Sequence, residues 1–220
     1  MTRSAGASIA SKTLLGLIQA IPAEQLAVIA PDQGIRLTYG ELRKQVQAVA
    51  EALAAAGVGR GDRIGIALPN GPANIVSFLA ASLAGTAAPL NPAYKEDEFR
   101  FYLEDTNAKV LLLPPEGLEA ARAAAGDVPI LTVDIDAAGT VSLRGVTGRK
   151  PVAMPDEDDI ALILHTSGST GRPKRVPLSH ANLAISSGNV ARSYALSASD
   201  VSLCVMPLFH VHGLVASTLA

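Results

Sequence analysis

Residues 163–180 read ILHTSGSTGRPKRVPLSH. Thr166, Ser167, Ser169 and Thr170 supply hydroxyls, Gly168 and Gly171 supply backbone freedom, and Lys174 follows the second glycine by three residues. Glycine lets the backbone take positive φ and approach a ligand closely. Successive amides flanked by hydroxyls can form an anion nest, and a lysine adds a mobile point charge suited to phosphate. Polyphosphate is the natural guest of such a segment. An ordinary polar turn beside a surface lysine has the same composition, and composition alone leaves both readings open. The spacing is not that of the Walker A loop, since only two residues separate the glycines and Pro173 stands between Gly171 and Lys174. That proline has no N–H to donate, so part of any cradle is silent.

The second candidate is a histidine pair, His210 and His212, with Gly213 after it, at the end of the apolar run VSLCVMPLF. Two histidines in a turn can be packing residues or ligand groups. A zinc site is discounted, because no Cys, Asp or Glu lies nearby in sequence to complete it.

The elements that must position these residues follow a rhythm from about Arg63. RIGIALPN reads as a buried strand and PANIVSFLAASLAG as a helix with Pro72 at its start and Gly85 at its end. TAAPLNP, KVLLL and VPILTVD read as strands, KEDEFRFYLEDT and PEGLEAARAAAG as helices. Residues 135–159 are expected as an interruption, and the acidic PDEDD at its end as a solvated loop. IALILHTSG then reads as a strand, SHANLAISSGNVARSY as a helix capped by Ser179, and DVSLCVMPL as a further strand. VHGLVASTLA begins another helix. Strands alternating with helices predict an α/β fold, doubly wound, with a mostly parallel sheet flanked by helices. Residues 1–62 are expected as a helical lead-in and 63–220 as the α/β subdomain. Among single residues, His165 is expected to pack, with a place beside a bound ligand left open. His180 is read as surface, Cys204 as core and Tyr94 as packing, with a place lining a ligand path left open.

The 220 residues are 49% hydrophobic but only 4% aromatic, so Ala, Leu, Val and Ile must fill the core. Lys and Arg number 18 against 20 Asp and Glu, which gives no electrostatic case for nucleic acid. The single cysteine cannot form an intramolecular disulfide, so a reducing compartment is expected. Lys12, Gln19, Pro22, Glu24 and Gln25 break the N-terminal apolar residues, and no membrane span is expected there. The expected location is cytoplasmic. A peroxisomal one stays open, since the native C-terminus would lie beyond Ala220.

TSGSTGRPK (166–174) resembles the phosphate-binding loop of the AMP-forming acyl-CoA synthetases, the adenylate-forming superfamily that includes luciferases and peptide-synthetase adenylation domains. LTYGEL (37–42), ALPNGPANIVSFLAASLAGTAAPLNPAY (67–94) and MPLFHVHGL (206–214) are similar to other blocks of that family, in its order. Arg175 departs from the pattern, standing where the family usually has glycine; it could crowd the phosphates or add a second cation. HVHG, with PLNPAYKEDEFRFYLED and HTSGSTGRPKRVPLSHANLA, is most similar to the oxalate–CoA and malonate–CoA ligase branch.

The resemblance implies a two-step reaction of a small dicarboxylate, oxalate foremost, with ATP, Mg²⁺ and coenzyme A. It assigns ATP phosphate binding to Thr166, Ser167, Gly168, Ser169, Thr170, Gly171 and Lys174. His210 falls in the catalytic region beside the acyl pocket and the thiol path, and His212 and Gly213 join it in lining that pocket. A second substrate carboxylate in a pocket of low dielectric is costly unless paired, and a protonated histidine offsets it. No segment resembles the family's YGxTE or TGD blocks, or its small C-terminal domain. Residues 1–220 are therefore expected to be a partial N-terminal AMP-binding domain, inactive alone and partnered by the remainder of the synthetase chain. A noncatalytic nucleotide-binding fragment and a domain that loads a carrier protein are the alternatives.

Overall fold

The structure, a computed structural model, describes residues 12–166 and 173–220. Helix α1 (Leu14–Gln19) leads into a two-stranded antiparallel sheet of β1 (Leu26–Ala30) and β2 (Ile35–Thr38), joined by a 3₁₀ turn at Pro31–Gln33. The lead-in is thus partly β, not wholly helical. Helix α2 (Tyr39–Ala55) starts on a reciprocal cap. The Glu41 amide donates to Thr38 Oγ1 at 3.2 Å, and the Thr38 amide to the Glu41 carboxylate at 2.8 Å.

The main sheet has seven strands: β3 (Arg63–Ile66), β4 (Thr86–Pro89), β5 (Ala108–Leu113), β6 (Ile130–Ile135), β7 (Val141–Arg144), β8 (Ile160–Thr166) and β9 (Lys174–Ser179). Their order is β7-β6-β5-β3-β4-β8-β9. The five central strands are parallel, and β7 and β9 close the edges antiparallel. Helices α3 (Pro72–Ala84), α4 (Glu96–Thr106), α5 (Glu119–Ala124) and α6 (His180–Ser193) complete the fold.

Strand β5 explains why its sequence is a continuous apolar run. Val110 and Leu112 join the core cluster that holds α1, α2 and α3, while Leu111 and Leu113 join the one that holds α4 and α5. Side chains alternate along a strand, so a strand covered on both sides is apolar throughout. Phe78 of α3 and Phe99 of α4 are fully buried, one in each cluster. Each such side chain contributes about 1.5–3 kcal/mol by leaving water. Gly85 ends α3 for a reason of space: a Cβ there would lie 2.5 Å from the Asp62 carbonyl oxygen.

The structure corrects four further expectations. The interruption at 135–159 contains β7, which hairpins onto β6 through a turn in which the Asp136 carboxylate accepts the amides of Ala138 (2.9 Å) and Thr140 (2.8 Å). Residues 200–208 are not a strand: they have no ladder partner among the described residues, and Val201, Leu203 and Val205 stand 72–83% exposed. Cys204, expected as core, is only half-buried in that segment. His180, expected on the surface, is 1% exposed. Its ring reaches between α1 and α3, where Nδ1 accepts the Leu14 amide (3.2 Å) and Nε2 meets the Ser82 carbonyl (3.1 Å).

In the acidic run, Arg60 bonds the carboxylates of Asp156 (2.7 Å) and Asp159 (2.9 Å), and Lys12 reaches Glu157. Among the described residues no helix is long and apolar enough to cross a membrane.

Candidate functional site

The Gly/Ser/Thr segment leaves the sheet from the end of β8. Because β8 runs parallel to β4, and β4 to β3, Thr166 emerges at the carboxyl edge, where open α/β sheets gather ligands. Residues 167–172, with Ser167, Gly168, Ser169, Thr170 and Gly171, lie outside the described residues. Their two ends are fixed. Thr166 pairs in register with Lys174, the first residue of β9, so this segment joins two antiparallel strands. Lys174 is exposed and strand-held, a more defined position than a mobile loop lysine has.

Strand alternation divides the base of this hairpin into two faces. Leu164 points into the cluster that contains α3, so Thr166 and its partner Lys174 share that face. His165 and its cross-strand partner Arg175 take the other, against α4. There His165 Nε2 lies 2.9 Å from an Asp105 carboxylate oxygen, and its ring packs on Tyr102 at 4.6 Å between centroids. Tyr94 stacks on Tyr102 at 4.8 Å, so both residues expected to pack do so. Burial, with the Tyr102 side chain second, pushes the Tyr94 hydroxyl well above the usual tyrosine range. It stays protonated.

Arg175 is settled by geometry. Its Nη1 donates to the Asp105 carbonyl at 2.7 Å. The last carbonyls of a helix are unpartnered and carry the negative end of its dipole, which suits a cation. Arg63 caps the same helix end, donating to the carbonyls of Thr106 (2.7 Å) and Asn107 (2.9 Å). The Arg175 side chain is thereby committed to α4, on the face opposite Lys174.

The histidine pair is delivered to the same edge by a residue that the sequence reading did not single out. Asn70 lies just beyond the carboxyl end of β3. Its amide nitrogen donates to the Met206 carbonyl (3.0 Å) and its oxygen accepts the Leu208 amide (2.9 Å). The one available signal was an asparagine in a Pro-Asn-Gly-Pro turn, a type suited to bonding backbone. Asn70 thus pins residues 206–208 above the sheet, two strand positions from β8. His210 follows, exposed, with Nδ1 accepting the His212 amide at 3.3 Å. In its neutral form the ring then carries its proton on Nε2. His212 is exposed as well, and opens a π-wound helix, His212–Leu219. Gly213 is buried, and a Cβ there would lie 2.3 Å from the Pro207 carbonyl oxygen, so only glycine lets this turn close.

The described part of the site therefore offers Thr166 and Lys174 on one side and His210 and His212 on the other, along one sheet edge. Among the described residues no three His, Cys, Asp or Glu side chains converge to form a metal site.

Comparison with known proteins gives the family. The family model for "AMP-binding enzyme" matches residues 19–220. The chain is 42% identical to "Probable CoA ligase CCL9" of Humulus lupulus, over 94% of this chain and 42% of that one. It is 39% identical to an oxalate–CoA ligase of Arabidopsis thaliana, over 96% of this chain and 43% of that one. The structure of ATP-bound MatB from Rhodopseudomonas palustris superposes with a TM-score of 0.80 at 28% identity, over 94% of this chain and 42% of that one. The chain spans less than half the length of these relatives. It belongs to the AMP-binding enzyme family.

Proposed function

We propose that this chain forms the phosphate- and acyl-binding portion of an ATP-dependent carboxylate–CoA ligase whose substrate is a small dicarboxylate, oxalate foremost. In the first step a carboxylate oxygen attacks the α-phosphorus of ATP; an acyl-adenylate forms and pyrophosphate leaves. In the second, the CoA thiolate attacks the acyl carbon, the thioester forms and AMP departs. Both steps call for positioning and for neutralisation of phosphate charge.

In this reading Thr166, the 167–171 segment and Lys174 bind the β- and γ-phosphates and then the leaving pyrophosphate. His210, with its proton on Nε2, faces the acyl group and the thiol path. His212 offsets the second carboxylate, and Gly213 lets its turn close tightly. Mg²⁺ would be held chiefly by the phosphates themselves, as is usual for that ion, and supplies charge neutralisation there.

The observation that carries the reading is the common sheet edge. The Thr166–Lys174 hairpin end and the Asn70-pinned histidine segment meet the same carboxyl side of parallel strands. The likeness to a relative named for oxalate supports the choice of acid.

Carboxylate-dependent ATP–pyrophosphate exchange tests the proposal. Oxalate, malonate, acetate, a long-chain fatty acid and an amino acid would be offered to the intact synthetase, with the 220-residue chain beside it. Exchange with oxalate or malonate alone supports the diacid reading. Exchange only with another acid overturns the substrate, and no exchange at all overturns the ligase.

A further inference from the structure

The hairpin that carries the Gly/Ser/Thr segment is held at its base by one residue of a neighbouring helix. Asp105, the penultimate residue of α4, contacts both strands. Its carboxylate meets His165 Nε2 at 2.9 Å on β8, and its carbonyl accepts Arg175 Nη1 at 2.7 Å on β9. His165 and Arg175 are direct cross-strand partners, next to the Thr166–Lys174 pair from which residues 167–172 depart. The His165 side chain is only 7% exposed, and Tyr102, one turn before Asp105, covers its ring. Two side chains, one from each strand, thus converge on a single residue of the helix end.

β9 is an edge strand, bonded on one side only and carrying Pro177. Its outer edge has no ladder partner among the described residues. The Asp105 contacts add a tie from the α4 face. They also give the Arg175 side chain its partner at the helix end.

We propose that Asp105 is a positioning residue for nucleotide binding: through His165 and Arg175 it fixes the paired strand ends that carry Thr166 and Lys174. The proposal rests on the reading of Thr166 and Lys174 as phosphate-binding residues. It gives Arg175 a role in holding the hairpin and none in touching phosphate. Asp105 acts through its neighbours and does not itself meet substrate.

Steady-state kinetics of the intact synthetase provide the test. Asp105→Ala removes the carboxylate and leaves the helix. It should raise the KM for ATP about tenfold, a misplacement effect, with the KM for the carboxylate within about twofold of wild type. Asp105→Asn retains an acceptor for His165 Nε2–H and should recover most of the loss, which a role in bulk stability or net charge would not explain. Arg175→Ala removes only an exposed side chain and should raise the ATP KM in the same selective way; it carries the test if Asp105→Ala fails to fold.

An unchanged ATP KM in the folded variants, or an equal rise for both substrates, overturns the proposal. Lys174→Ala run in parallel separates the two levels. If Lys174→Ala impairs ATP use and the Asp105 and Arg175 variants do not, the positioning role fails alone. If Lys174→Ala has no effect either, the phosphate-site reading falls, and the proposal with it.

Discussion

The Nδ1 atom of His180 accepts a hydrogen bond from the amide of Leu14, 166 residues earlier in the chain, at 3.2 Å. Nε2 of the same ring meets the Ser82 carbonyl at 3.1 Å, so the imidazole sits neutral, with its proton on Nε2, and ties α6 to α1 and α3. A protonated Nδ1 could not accept the Leu14 amide. Burial lowers the His180 pKa below the ordinary value, although the Ser82 carbonyl and Asp159 oppose the shift.

The sign of the pH effect follows. Below the unfolded value of about 6.5 the unfolded chain binds this proton more readily than the native one, so stability falls as pH drops toward the depressed native value. Denaturation midpoints measured from pH 8 to pH 5 should decline on the acid side. His180→Gln, which keeps a donor and an acceptor but cannot titrate, should flatten that decline. An equal slope in the variant would assign the decline to other groups. His180→Ala strands a buried amide and a buried carbonyl, and each orphaned group costs about 1–3 kcal/mol.

Gly213 gives a prediction about stability and the site together. A Cβ at this position would meet the Pro207 carbonyl oxygen at 2.3 Å and that of Met206 at 2.9 Å, both backbone atoms that cannot swing aside. Gly213→Ala must push the terminal helix from the 206–207 turn, at a cost of about 1–3 kcal/mol. Thermal unfolding should show a lower midpoint. Because the same turn carries His210, the variant should also lose carboxylate affinity more than ATP affinity. A midpoint within experimental error of wild type would mean that the turn relaxes freely.

Elements whose evidence is local were legible in the sequence. Pro72 and Gly85 bound α3, Ser179 caps α6 through the Asn182 amide at 3.2 Å, and the two-faced burial of β5 appears as AKVLLL. What escaped depends on distant partners. β9 was hidden because Pro177 argues against a strand, yet an edge strand tolerates proline on its open side. β7 has four residues between turns, too few to show a period. Residues 201–205 alternate like a strand, but alternation cannot supply a neighbour to pair with. His180 looks like the polar opening of a capped helix, and only α1 and α3, far away in sequence, bury it. The Gly/Ser/Thr segment was singled out by composition and likeness. Asn70, Asp105 and the direction of Arg175 required the fold.

Lys174 is placed by its register with Thr166, at the mouth of the 167–172 segment, and shares its face with that hydroxyl. If it neutralises phosphate, Lys174→Ala in the intact synthetase should slow ATP–pyrophosphate exchange by about 10²-fold, the size typical of losing one charged stabilising group. Lys174→Arg, which keeps the charge but changes its shape, should recover only part of the rate. Exchange kinetics unchanged in Lys174→Ala would remove the lysine from phosphate handling.

Under the proposed function, His212 would separate a diacid ligase from an ordinary acyl-CoA synthetase. The ring is exposed at the start of the terminal helix, and its amide donates to His210 Nδ1, so its side chain is available to a ligand at the sheet edge. A carboxylate taken from water without a partner is costly, and a charged hydrogen-bond partner recovers about 1.5–3 kcal/mol. His212→Ala should therefore reduce kcat/KM for oxalate or malonate by about 10- to 100-fold, while acetate, with no second carboxylate to lose a partner, changes by less than about threefold. Equal losses for diacids and acetate would show that His212 shapes the turn and recognises no second carboxylate.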